Sequence, residues 1–386
     1  MPRHDVVIVD AVRTPIGRRN GALSSWHAAD LSAVVLNALV ERTDIDPVQV
    51  DDVLWGCTMQ VGMQSMNIGR MAVLAAGWPE SVPGTTIDRQ CGSSQQAVHF
   101  AAAGIASGQY DVAVAGGVEI MSAVPIGATS SDRSFGEPGG PRVLARYGGK
   151  HFNQGIGAEM MVSKWHLSRQ ALDEFAAQSH SKLADALDNG RMDSQTVTVT
   201  QPGGSHFRSD ECLRRGTTAA TLASLKPAFV DEGSIHAGNS SQICDGASAL
   251  LMMSAERAQH LGLMPLARVH TAVLAGDDPV MMLSAIIPAT SKALDKSGLY
   301  FSDIGAFEVN EAFAPVPLAW LAETGTDPQL LNPNGGAIAL GHPLGASGAR
   351  LMTTLVHHMH DNGIRYGLQT MCEGGGMANA TILESL

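Results

Sequence analysis

The sequence predicts an α/β protein built from two pseudo-symmetric halves, each a mostly parallel sheet flanked by helices, with a long insertion in the first half. Three observations predict it. Short β-branched runs alternate with helical periodicity, which implies parallel strands joined by helical crossovers. The order of elements is repeated along the chain, as internal duplication requires. The last two strands of the first copy are more than a hundred residues apart, whereas those of the second are adjacent.

The first copy opens with the strand DVVIVDAVRTP (5–15), followed by the helical segment 27–42, the strand DDVLWGC (51–57), the helix 68–77 and the strand GTTIDRQC (84–91). After Cys91, the apolar residues Val98, Ala101, Ala102 and Ile105 fall at helical spacing. Gly108 stops that helix, and DVAVAGG (111–117) is a buried strand. The matching last strand is GASALLMM (246–253). The second copy runs through 266–276, 288–298, 302–310 and 314–325 to the loop NPNGGAIALGHP (332–343). Met352, Leu355, Val356 and Met359 then repeat the helix face, Gly363 ends it, and strands 366–376 and 377–386 follow. The expected units are therefore 1–117 with 244–265, an insertion over 118–243, and 266–386. Ligands of such sheets bind outside the strand ends. A pseudo-twofold arrangement brings the pre-helix loops carrying Cys91 and His342 together there, with the insertion as a lid or binding wall.

Composition narrows the function. The chain has 386 residues, is 45% hydrophobic, and carries a net charge of −12. That charge argues against nucleic acid as a partner, since phosphate backbones need a basic face. No apolar run reaches the length of a membrane span, and the N-terminal stretch reads as a strand rather than a signal peptide. The five cysteines, at 57, 91, 212, 244 and 372, form no C-x-x-C pattern, so free thiols in a reducing cytosol are expected. His357 and His360 share a helix end without the further ligands a metal needs, and a polar helix terminus is expected there.

Four short stretches carry candidate chemistry. Cys91 begins a helix, where the dipole is expected to lower its pKa and favour thiolate. His342 sits on a stiff loop between Gly341 and Pro343 and is suited to act as a base. Asn310 ends a strand in NEAFA (310–314), where its amide can hold a water or a developing enolate oxygen. Cys372 precedes three glycines in CEGGG (372–376). Each also has a plain structural reading: inert core cysteines, a loop-capping histidine, a turn asparagine.

Taken together these stretches resemble the thiolases along essentially the whole chain. RTPIGR, CGS, AGG-E-MS (115–122), AGN-S---DGA (237–247), NEAFA, NPNGGAIALGHPLGASG and C-GGG occur in order. The resemblance implies mostly parallel five-stranded sheets sandwiching helices, and an inserted α/β loop domain that binds coenzyme A. It implies that Cys91 is the nucleophile and forms an acyl thioester. His342 activates it and contributes to an oxyanion hole, and Asn310 holds water at that hole. Cys372 is the acid and base, and the backbone of Gly374 serves a second oxyanion hole. Glu311 and Glu373 are read as supporting residues. The implied reaction is CoA-dependent cleavage of a 3-oxoacyl-CoA to acetyl-CoA or propionyl-CoA and a shortened acyl-CoA, reversible as a Claisen condensation. Coenzyme A is cosubstrate; no tightly bound cofactor and no metal are expected. A homodimer or homotetramer is expected.

The resemblance also places Arg214, Thr221, Ala237, Ser240, Ser241, Asn153, Gln154, Ala312 and Phe313 near the CoA ester, with Arg208, Arg214 and Arg215 forming a basic island. Ser94 stands where the family often has glycine after C-G-S. Asn153 and Gln154 stand where short-chain biosynthetic members commonly carry histidine and methionine. These departures favour degradative members, including actinobacterial steroid-degrading types, and a bulky or branched acyl chain. Two alternatives remain open: an acetoacetyl-CoA-forming biosynthetic enzyme, and a catalytically silent acyl-CoA or lipid-binding protein. A ketosynthase-like enzyme would lack Cys372.

Overall fold

The computed structural model describes residues 5–386; the first four residues of the stretch read for a signal peptide lie outside them. In chain order the first half comprises β1 (Val6–Arg13), α1 (Ala28–Thr43), β2 (Asp52–Gly56), α2 (Ile68–Ala75), β3 (Gly84–Ile87), α3 (Ser93–Ser107) and β4 (Val112–Ile120). The intervening segment contains α4 (Gln154–Lys164) and α5 (Arg169–Asp188). The chain then returns as β5 (Cys244–Ser254) and α6 (Ala255–Leu261). The second half is β6 (Ala267–Gly276), α7 (Ile286–Ser297), β7 (Ala306–Val309), α8 (Pro315–Thr324), α9 (Leu344–Asn362), β8 (Tyr366–Glu373) and β9 (Met377–Ser385). Gly108, Gly298 and Gly363 end their helices in the left-handed conformation that glycine adopts without a Cβ penalty.

The strands form one sheet in the order β7-β8-β9-β6-β1-β5-β4-β2-β3. Read outward from the β6/β1 junction, the two halves repeat the same order, which is the pseudo-symmetry the sequence predicts. In the first half β1, β2, β3 and β4 run in one direction and β5 opposes them; in the second β6, β7 and β8 run together and β9 opposes them. Five strands longer than two residues are present in the first half only, with the short strand Gly17–Arg18 added beside β5. The second half has four, and the fifth place shrinks to an isolated parallel bridge from Phe307 to Leu331. A 3-10 turn at Pro328–Leu330 immediately precedes it, leaving little extended chain to pair. The halves join through two residue pairs, Val7 with Arg268 and Ile8 with Ala267.

The predicted apolar faces of α3 and α9 meet in one core. Val98, Ala101, Ala102 and Ile105 pack in the same cluster as Met352, Leu355, Val356 and Met359. Burying each large aliphatic side chain contributes about 1.5–3 kcal/mol. Polar groups complete the joint: Ala349 donates to Ser94 Oγ at 2.9 Å, and Gln369 Nε2 donates to Gln95 Oε1 at 2.9 Å. Ser94, the residue in place of a family glycine, therefore ties the two central helices together. Among the described residues no helix is long and apolar enough to cross a membrane.

Candidate active site

Close backbone approach brings the loops of the two halves together. A Cβ on Gly117 would lie 2.2 Å from the carbonyl oxygen of Gly345, and one on Gly56 would lie 2.6 Å from the same atom. The start of α9, from the second half, thus rests on the ends of β2 and β4. Glu119, fully buried at the end of β4, fastens this contact. Its carboxylate accepts from the amides of Thr58, Met59 and Gly345 at 3.0, 3.0 and 2.8 Å, and from Gln64 Nε2 at 2.7 Å.

Cys91 follows Gln90, which is held at φ 49°, a conformation uncommon for residues with a side chain. The amide of Gln90 donates to Asp88 Oδ1 at 2.7 Å, which stabilises this turn. The next residue must be small. A Cβ on Gly92 would sit 1.9 Å from Glu373 Oε1, and Asn379 Nδ2 donates to the Gly92 carbonyl at 3.2 Å. Gly374 packs against Gln90 in turn, its would-be Cβ 2.9 Å from Gln90 Oε1. These approaches put the Cys91 turn against the Cys372–Gly374 turn. The two thiols are near enough that Cys91 raises the pKa of Cys372, second only to burial. All five cysteines are free.

The expected lowering of the Cys91 pKa does not occur. Burial, followed by the carboxylate of Glu373, pushes the thiol up to about 12. Desolvation and a like-charged neighbour outweigh the helix terminus. Glu373, expected only as a supporting residue, is thus the strongest charge acting on Cys91. Its own carboxyl is pushed up to about 8, chiefly by burial.

His342 is buried at the turn before α9. Its backbone amide donates to Gln242 O at 3.3 Å, and Gln242 Nε2 donates back to Ile338 O at 2.9 Å. Gly341 needs to be glycine twice over: its φ is +104°, and a Cβ there would lie 2.8 Å from Cys244 Sγ. The imidazole Nδ1 lies 2.5 Å from Ser347 Oγ, whose single proton goes to Pro343 O at 2.8 Å. Ser347 must therefore accept, which places the ring proton on Nδ1 and leaves Nε2 as an acceptor. Asn310 Nδ2 donates to Nε2 at 3.4 Å, and Asn310 Oδ1 is buried without a protein partner. Burial, then the charge of Arg350, depresses the imidazole pKa to about 3. The resting pair is thus a neutral thiol and a neutral imidazole.

Apolar side chains surround Cys91. It packs with a cluster of Met59, Met121, Val124 and Leu344, flanked by Val61 and Met63.

The other sequence-predicted residues gather around the start of α4, the 237–241 loop and the turn at 312–313. Ser240 bridges Phe313, the amide of Ser241 donates to Ala312 O at 2.9 Å, and Phe313 stacks edge-on with Phe229 at 5.8 Å. Phe229 covers Gly155, beside Gln154 at the start of α4. Ala237 is exposed next to Gly238, which packs on Leu222 and Leu225 close to Thr221. Arg214 is exposed, and its guanidinium makes no ion pair among the described residues. Arg215 is spent on Asp188 at 2.6 Å, and Thr221 on a capping box with Thr218. Asn153 caps α4 through bonds from Gly155 and Ile156, a structural duty that its position in a motif does not reveal. Glu311 accepts from Ser179, Asn332 and Ile338 and ties α5 to the His342 loop. His357 is occupied by Ala11 O at 2.9 Å and Ser194 at 3.2 Å.

Sequence reasoning misses a buried brace. Asp173 accepts from His236 Nε2 at 2.8 Å, Asn239 Nδ2 at 3.0 Å and Arg169 Nε at 2.9 Å, fixing the loop that carries Ala237 to Ser241. The His236-x-x-Asn239 spacing is its only local signal.

Two free thiols, an imidazole and a carboxamide at the strand ends and helix starts of a duplicated α/β fold are groups suited to acyl transfer. The chain belongs to the thiolase family. The model of the thiolase N-terminal domain matches residues 6–256 and that of the thiolase C-terminal domain residues 263–385. The chain is 48% identical to the steroid 3-ketoacyl-CoA thiolase FadA6 of Mycobacterium tuberculosis, over 99% of this chain and 94% of that protein. It is 44% identical to a 3-ketoacyl-CoA thiolase of Klebsiella pneumoniae, over 98% and 99%. The crystal structure of the Bacillus anthracis acetyl-CoA acetyltransferase superposes with a TM-score of 0.92 at 38% identity, covering all of both chains.

Proposed function

We propose that the protein is a degradative thiolase that cleaves a 3-oxoacyl-CoA through an acyl thioester on Cys91. The observation that carries this reading is the meeting of two free thiols, one from each half, near enough that Cys91 raises the pKa of Cys372, with Cys91 packed in the cluster of Leu344, two residues beyond His342. Because thiol and imidazole rest neutral, the nucleophile forms as it attacks. His342 Nε2 takes the Cys91 proton while sulfur adds to the C3 ketone. The C2–C3 bond then breaks, and its electrons pass onto the oxygen of the departing thioester. His342, now protonated on Nε2, and a water on Asn310 are the donors for that oxygen. The backbone amides of Cys91 and Gly374 are the donors for the ketone oxygen. Losing one such donor costs about 3–4 kcal/mol of barrier. Cys372 gives its proton to the enolate carbon, then takes the thiol proton of incoming CoA. CoA sulfur displaces the acyl group, and Cys91 recovers its proton from His342. Kinetics are ping-pong.

Coenzyme A enters past Arg214, Thr221, Ala237, Ser240 and Ser241, with Phe313 along the pantetheine path. Arg214, unpaired and exposed, is the cation suited to a CoA phosphate. The acyl group lies against the methionine-rich wall of Met59, Met63 and Met121, whose flexible side chains adapt to irregular shapes. With the steroid-type relative, this wall favours a bulky or branched 3-oxoacyl-CoA. Half-exposed β6 and the exposed Phe100 provide apolar surface for a homodimer or homotetramer, working in the cytosol. A thiolysis panel of 3-oxoacyl-CoA esters, with Cys91→Ala as control, tests the reading. A higher kcat/KM for branched or alicyclic esters than for acetoacetyl-CoA is expected; acetoacetyl-CoA as best substrate refutes the substrate class.

A further inference from the structure

Met59 joins a fixed part of the acyl pocket to a loosely held one. Its backbone is pinned: the amide donates to Glu119 Oε1 at 3.0 Å, and the carbonyl accepts from Gln64 Nε2 at 2.9 Å. Its buried side chain packs with Met121, Val124 and Leu344, in the cluster that Cys91 and Ala128 flank. The sulfur meets the first segment of the insertion. The amide of Gly127 donates to Met59 Sδ at 3.3 Å, and Thr129 Oγ1 donates to the same atom at 3.9 Å.

That segment is well anchored only at its start. The amide and hydroxyl of Ser122 donate to Asp245 at 2.8 and 2.7 Å, and Val124 is buried. Beyond it, Gly127 opens the short helix Ala128–Ser131, and the bonds stay local. Ala128 N donates to Pro125 O, Ser130 N and Oγ to Gly127 O, and Ser131 Oγ to Ala128 O. Among the described residues, the hydrogen bonds that fasten 125–131 to another part of the chain both end on Met59 Sδ. A thioether is a weak acceptor.

We propose that Met59 is a specificity-determining residue: its sulfur latches residues 125–131 over the acyl pocket beside Cys91, and the weakness of this attachment lets the pocket open for a bulky 3-oxoacyl group. The inference rests on the proposed thiolase reaction and names the device behind its preference for bulky chains.

The surroundings suit a latch rather than a brace. Gly127 is half-buried and Thr129 exposed, so water can replace the sulfur when the contact opens. A small acyl group leaves Val124 and Ala128 packed beside Cys91. A bulky one displaces Ala128, and the unbranched Met59 side chain follows through its rotatable bonds. Glu119 holds the Met59 and Gly345 amides throughout, so the start of α9 keeps its place.

Two readings on two variants test this. Met59→Leu keeps the apolar volume and removes the acceptor. Met59→Gln, of similar length, offers a carbonyl oxygen in place of the sulfur. The first reading is hydrogen–deuterium exchange of the peptide containing Gly127, which needs no activity. Exchange at least threefold faster than wild type is expected in Met59→Leu and within twofold of wild type in Met59→Gln. Unchanged exchange in Met59→Leu, or equally fast exchange in both variants, overturns the latch. The second is the ratio of kcat/KM for an alicyclic 3-oxoacyl-CoA to that for acetoacetyl-CoA. It is expected to rise at least threefold in Met59→Leu, because opening becomes easier and the small ester loses a closed pocket. Faster exchange with an unchanged ratio overturns the role in specificity. A wild type that cleaves none of the esters would refute the functional reading, whatever the exchange shows.

Discussion

Ser347 Oγ lies 2.5 Å from His342 Nδ1 and spends its own proton on Pro343 O. That relationship fixes the tautomer of the catalytic base from within one turn of α9. Replacing Ser347 with Ala leaves a buried Nδ1–H unsatisfied, a cost of about 1–3 kcal/mol, and frees the ring to adopt the wrong tautomer. A fall in kcat of roughly tenfold or more, with KM little changed, is expected in steady-state thiolysis.

Gly117 tests the meeting of the two halves. Alanine there brings a Cβ to 2.2 Å from the Gly345 carbonyl, and backbone cannot yield as a side chain tip can. Overpacking of this kind costs about 1–3 kcal/mol. Gly117→Ala is expected to lower Tm by several degrees and to reduce activity further, since the His342 turn is displaced from Cys91. Unchanged activity at a lowered Tm would mean that this contact does not position the site.

From these four groups, stability is expected to be greatest at mildly acidic pH, between the ordinary carboxyl and imidazole values. Burial raises Glu308 and Glu373 to about 8, so their stabilising effect is complete below the ordinary carboxyl range and is lost as pH rises through 8. Burial lowers His99 and His342 to about 3, so theirs is complete above the ordinary imidazole value and is lost as pH falls toward 3. Thermal melts from about pH 3 to 9 should show both limbs, and Glu308→Gln should flatten the one on the alkaline side.

The Asp173 brace should matter to coenzyme A rather than to chemistry. Asp173→Asn removes the charge held between Arg169 and His236 and loosens residues 234–241. The KM for CoA is expected to rise severalfold in initial-rate kinetics, with a smaller change in kcat.

The legible parts of this protein were those governed by local pattern. Strand alternation and helical spacing place β1 to β9 and the main helices, and the glycines at 108 and 363 mark where α3 and α9 stop. Cys91, His342, Asn310 and Cys372 are recognisable because each sits at an element boundary within a distinctive motif. The pKa of Cys91 was not legible, because Glu373 is distant in sequence and burial is a property of the whole fold. Ser94 belongs to a readable helix, yet its partner, the amide of Ala349, comes from another element. Pattern alone assigns no element to α4, α5 or α6, and the Phe307–Leu331 bridge is too short to have a period.

The central claim is that Cys91 carries the acyl group while Cys372 only moves protons. Incubating the protein with a 3-oxoacyl-CoA in the absence of free CoA, followed by peptide mass mapping, tests it most directly. The expected result is one acyl adduct per chain, on the peptide containing Cys91, absent in Cys91→Ala and discharged on adding CoA. An adduct on Cys372 instead, or none in wild type, would contradict it.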